Sequence, residues 1–115
     1  HIVVDRLVAA VDCGRAINPI LVRQQVEGGL LAALALAIAP APVFVAGMPR
    51  ALPLRLLGLE RLAGTPKIEV ELIPSSDAPG GVSGLAFTVL AGAVGNALAA
   101  AGRRLRSLPF DSTAA

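Results

Sequence analysis

The sequence predicts an α+β domain: a small, mainly antiparallel sheet with two helices on one face, in the order β-α-β-β-β-α. Two strand-like runs and two helix-like runs predict it. Residues 2–11, "IVVDRLVAAV", and 67–73, "KIEVELI", have strand composition. Residues 19–39 and 88–101 carry uncharged or nearly uncharged helix-forming sequence bounded by caps and breakers.

Taken in order, the first run is β-branched and apolar with one charged pair, Asp5-Arg6, and reads as a largely buried strand. Gly14 and "INP" interrupt it. Asn18 can accept from the free amides of a first helical turn, and Pro19 fits that turn because its missing N–H would have had no partner there. Leu21, Val22, Gln25, Val26, Gly29, Leu30, Ala33 and Leu34 then recur at three and four. Pro40 and Pro42 forbid continuation. Residues 43–46, "VFVA", read as a short strand, and residues 50–57, "RALPLRLL", as a weaker one demoted to an edge by Pro53. In "KIEVELI", Ile68, Val70 and Leu72 fall on one face and Lys67, Glu69 and Glu71 on the other, the alternation of a half-buried strand. "SSDAPGGVSG" is loop chemistry, within which Ser83 reads as a helix N-cap. The second helix is expected over residues 88–101, with Gly102 as its C-cap. One domain is expected over residues 1–110, with 111–115 a frayed tail.

Composition narrows the function classes. Of 115 residues, 55% are hydrophobic and 16% charged, with a mean hydropathy of +0.72. Such a chain has enough apolar surface to offset the ordering entropy, so disorder is not expected. The net charge of +2 and 3% aromatic content leave neither the basic footprint nor the stacking platforms of a nucleic-acid binder. Arg103, Arg104 and Arg106 form the one basic cluster and read as cations favoured at a helix C-terminus. Cys13 is the only cysteine, so no intrachain disulfide can form, and it reads as a small buried apolar side chain. With His1 as the one histidine, a Cys/His nucleophile pair and protein-ligated zinc are not expected. No charged-then-apolar leader precedes the first strand, so no signal peptide is read, and the start at His1 suggests a segment of something longer.

Two uncharged runs, residues 28–49 and 78–102, reach the ~20 residues needed to span a bilayer. Prolines and glycines interrupt both, Ala and Gly dominate them, and the chain has no Trp or Tyr for an interfacial belt. Buried helices within a larger protein account for the same runs better than membrane spans.

The stretch "AVDCGRAINPILVRQQVEGGLLAALALA" and the later "APGGVSGLAF" together resemble the C-terminal part of the large subunit of molybdenum hydroxylases. The likeness is to the xanthine dehydrogenase and aldehyde oxidase superfamily, nearest to the isoquinoline 1-oxidoreductase beta-subunit type. Its members carry a strand ending D-x-G, an N-P helix start, a Q-x-E-G-G/A signature, a G-G-V-G-E-P-G loop, an N-A helix and an R-x-R-S-L-P tail. Here these fall on Asp12 and Gly14, Asn18 and Pro19, Gln25, Glu27, Gly28 and Gly29, then Gly80 to Val82, Asn96 and Ala97, and Arg104 to Pro109. The likeness spans nearly the whole chain and is weakest over residues 37–64.

The resemblance implies an oxidoreductase that hydroxylates aldehydes or N-heterocycles. Its cofactor would be molybdenum held by a molybdopterin of the cytosine dinucleotide type, with electrons leaving through an iron–sulfur subunit. It implies a bacterial protein of the cytoplasm or periplasm, partnered by the remainder of the large subunit; so apolar a chain is also expected to self-associate. It makes Gln25 a pterin-contacting amide and places Val82, Ser83 and Gly84 in the cofactor loop. The family's glutamate, the base of the reaction, falls on Gly84, so no catalytic residue is assigned. By itself the chain is expected to be inactive and to bind no cofactor. Two other readings stand beside this one: a degenerate structural module that packs on a partner subunit, and a two-span membrane protein.

Overall fold

The computed structural model describes residues 2–50 and 62–110. Strand β1 (Arg6–Val11) leads into helix α1 (Pro19–Ile38), followed by the two-residue strands β2 (Phe44–Val45) and β3 (Met48–Pro49). After a 3-10 turn at Leu62–Gly64 come strand β4 (Lys67–Leu72) and helix α2 (Leu85–Ala100). β1, α1, β4 and α2 follow in the expected order, but β3 falls at Met48–Pro49, ahead of the strand expected over residues 50–57, and the sheet is not mainly antiparallel. β1 and β4 pair in parallel, with Leu7 opposite Ile68, Ala9 opposite Val70 and Val11 opposite Leu72. Among the described residues only the small β2–β3 hairpin is antiparallel. The reason lies in α1: a helix between two strands returns the chain to the end at which it entered, so β4 runs beside β1 in the same direction. The strand expected over residues 50–57 lies, apart from Arg50, outside the described residues, as does the tail at 111–115.

Local chemistry sets the boundaries. The Asn18 side chain accepts from the Leu21 N–H at 3.2 Å, and Pro19 opens α1 as expected. At its other end Ala39 N–H donates to Ala35 O at 2.7 Å, and Pro40 follows. The hairpin turns through Ala46 and Gly47, both at positive φ, and closes with a bond from Arg50 N–H to Val43 O at 2.8 Å. Alanine at φ 50 stores local strain that glycine at 47 avoids.

The core lies between the helices and the inner face of the sheet. Val26, Leu30, Ala33, Leu34 and Ala37 on α1 meet Ala86, Leu90 and Val94 on α2, while Leu7, Ile68, Val70 and Leu72 close it from the sheet. α1 lies on β4, and α2 packs mainly on α1. Two contacts fix the direction of the pair. A Cβ at Gly29 would sit 3.3 Å from that of Ala86; further along, Phe110 N–H donates to Ala37 O at 2.8 Å while its ring lies 3.3 Å from where a Gly95 Cβ would be. Since 29 leads to 37 as 86 leads to 95, the helices run in the same direction. Residues 103–110 fold back so that Phe110 lies against both helices. α1 is the one helix among the described residues long and apolar enough to cross a membrane, and its buried stripe faces α2 and the sheet.

On the outer face of the sheet Arg6 donates to Glu69 at 2.7 Å, and Lys67 reaches the same carboxylate at 2.9 Å. The hydrogen bond from Arg6, then that from Lys67, holds the Glu69 carboxyl down to about 2 from its ordinary 4.5. A depressed carboxyl contributes stability that is present above its unfolded pKa and lost as pH falls through the folded one. The Glu69→Gln variant should therefore differ from the parent above pH 4.5 and converge with it towards pH 2, as read from thermal midpoints. The pair is exposed, so the difference should be small and should fade in high salt.

Candidate functional site

Both parallel strands release their chains into loops at the same end of the sheet: residues 12–18 after β1 and 73–84 after β4. In sheets with parallel strands, the carboxyl ends are where loops gather ligands. Here the loops are bonded to each other. Ile73 N–H donates to Val11 O at 2.9 Å, Gly80 N–H to Cys13 O at 2.8 Å, and Arg15 N–H to Asp77 O at 3.0 Å. Gly14 has φ +67, and a Cβ there would collide with the Ala78 carbonyl oxygen. Within the first loop, Asp12 accepts from the Gly14 N–H at 3.0 Å. The "DCG" turn and the "APGG" segment, far apart in sequence, form one backbone clasp. Cys13 is buried within the core cluster, as its neighbours in sequence suggested.

The clasp positions the start of α2. Val82 is half-buried against the core, and its carbonyl accepts from Leu85 N–H at 3.3 Å. Ser83 does not cap the helix: Gly84 occupies the N-cap position and no side chain bonds the first-turn amides. α2 also begins at Leu85 rather than Thr88. Leu85 and Ala86 are free to enter helix where proline and glycine would not be, and Ala86 is held on α1 at Gly29. Neither helix has an acidic residue in its first turn. Exposed, uncapped N–H groups at a helix start favour an acceptor or anion placed before them.

Gln25 is exposed on α1, one turn before Gly29. Because Gly29 meets Ala86, and the helices are co-directional, Gln25 and the loop of Val82, Ser83 and Gly84 lie at the same end of the pair. A Cβ added at Gly28, Gly81 or Gly84 would meet nothing within 4 Å. Asp77, the acidic residue nearest to 84 in sequence, has its backbone tied into the clasp, its carbonyl accepting from Arg15 N–H. No group of three His, Cys, Asp or Glu side chains among the described residues could hold a metal ion. The site offers backbone donors, an amide and glycine-lined space. The clasp itself was not foreseen from the sequence; its signal was the pairing of Gly14 with a second glycine-rich run.

A family model for the molybdopterin cofactor-binding domain matches residues 1–45, which hold β1, the first loop and α1. Over 91% of its length the chain is 34% identical to a protein of Gluconacetobacter polyoxogenes named membrane-bound aldehyde dehydrogenase [pyrroloquinoline-quinone]. Over 93% it is 32% identical to isoquinoline 1-oxidoreductase subunit beta of Brevundimonas diminuta. The chain is similar to the molybdopterin-binding part of the molybdenum hydroxylases. It spans 14% of the length of each of these two relatives. Among solved molybdenum hydroxylases, a Cu,Mo-CO dehydrogenase in its carbon monoxide reduced state is 26% identical, with a TM-score of 0.71 over 81% of this chain and 12% of that one. Quinoline 2-oxidoreductase from Pseudomonas putida 86, at 20% identity, shares the fold with a TM-score of 0.75 over 90% of this chain and 14% of its own. The structural matches reach well beyond residue 45, so the clasp and α2 belong to the hydroxylase fold as much as α1 does.

Proposed function

We propose that the chain forms part of the cofactor wall in the large subunit of a molybdenum hydroxylase acting on an aldehyde or N-heterocycle. The observation that carries this reading is the clasp, which holds Gln25 and the loop at 82–84 at one end of two co-directional helices. The Gln25 amide, able to donate and accept at once, suits a pterin edge. The amides of Ser83 and Gly84 and the uncapped start of α2 suit an oxygen acceptor or phosphate of a cytosine dinucleotide form. When bound, the cofactor supplies the redox chemistry and the metal-borne oxygen. This stretch supplies position and hydrogen bonds; with Gly84 at the glutamate position it holds no group able to take a proton there, and it is inactive alone. The remainder of the large subunit supplies the substrate pocket, and an iron–sulfur subunit receives the electrons.

The test is molybdenum and pterin content of the protein purified in its native context. Molybdenum and pterin should be present in equal amounts, and Gln25→Leu should lower both together while leaving the unfolding free energy within about 0.5 kcal/mol of the parent's, as for an exposed side chain. Preparations with neither metal nor pterin would favour the other reading, a structural module kept for packing on a partner, which the glycine at 84 also suits.

A further inference from the structure

We propose that the free edge of β1 receives a further strand, supplied by large-subunit polypeptide other than this chain. The inference rests on the reading above, that the chain works inside a larger subunit.

Along β1, Lys67 N–H donates to Asp5 O and Ile73 N–H to Val11 O. With the register between them, this assigns the backbone groups of the odd-numbered residues 5–11 to β4, and those of Arg6, Val8 and Ala10 to the opposite edge. No strand among the described residues pairs there. Proteins blunt open edges with charge, proline, bulges or a covering element. β4 follows that rule: Pro66 and Pro74 bracket it, and Lys67, Glu69 and Glu71 line it. β1 does not. "LVAAV", residues 7–11, has no charge, proline or glycine, and Val8 is 65% exposed. α1 covers β4 rather than β1.

Parallel sheets occur as larger, covered assemblies, and two parallel strands alone are not such an assembly. The 14% span of each curated relative names the occupant: in proteins of this kind most of the polypeptide lies outside the matched stretch. A second copy of this chain would pair two unblunted edges instead, and is an outcome of the test.

The experiment is residue-resolved hydrogen–deuterium exchange on the protein in its native assembly and on the 115-residue chain alone. In the assembly, two or more of the Arg6, Val8 and Ala10 amides should be slowed by about 100-fold, matching Leu7 and Ala9; alone, they should exchange freely at every concentration. Free exchange in both samples overturns the proposal. Slowing that grows with concentration in the isolated chain assigns the edge to a second copy and overturns it equally. If the isolated chain does not fold, the assembly decides through the contrast between odd and even positions. As a second arm, Val8→Pro removes one outward N–H and should weaken assembly at least about tenfold, whereas an edge left open in the assembly would accept proline there. Pterin content of the same samples tests the cofactor reading separately.

Discussion

Replacing Gly14 with alanine should unfasten the two loops and cost the fold about 3 kcal/mol or more. The new Cβ meets the Ala78 carbonyl, which belongs to backbone and cannot swing aside like a side chain. Alanine at φ +67 adds about 1 kcal/mol of strain. Shifting residues 77–80 then forfeits the bonds from Arg15 and Gly80, each about 1 kcal/mol. Gly28→Ala is the counterpart with opposite sign. It sits mid-helix with open space around it, so it should stabilise by about 0.5–1 kcal/mol. Denaturant unfolding of both variants checks the pair; a harmless alanine at 14 would mean that the clasp does not hold the loops.

Gly84→Glu, made in the intact large subunit with its cofactor loaded, should raise hydroxylation turnover by about 10²- to 10⁴-fold, the usual contribution of a general base. The fold can receive the side chain, because a Cβ at 84 meets nothing within 4 Å. Its carboxylate would sit at the start of α2, where a negative charge is favoured. Stability should therefore hold or rise slightly. Turnover that stays at the parent level, with molybdenum and pterin content unchanged, would show that the missing carboxylate is not what limits this subunit.

Much of the fold was legible because the relevant forces are local. Asn18-Pro19 and Pro40 bound α1 within a residue or two, and the alternation of "KIEVELI" marked β4. Gly102, expected as the C-cap of α2, instead follows the C-cap Ala101 at φ +84. What local pattern cannot carry is partnership. Prolines between 40 and 53 looked like the punctuation of a meander, and strand direction depends on where α1 delivers the chain. The role of Gly29 was half legible: its cost within a helix implied a close neighbour, but only the packed helices name Ala86. The resemblance to molybdenum hydroxylases singled out Gln25 and the loop at 82–84 as site residues. Their shared position at one end of the helix pair needed coordinates, since it follows from the contacts of Gly29 and Phe110.

The clasp between residues 11–15 and 73–80 is made from main-chain atoms alone. Most side chains along it can therefore drift without releasing it, and selection on shape need not act on chemistry. A lineage could change the residue at 84 while the scaffold stayed fixed: what position 84 carries and what frame carries it can be inherited separately.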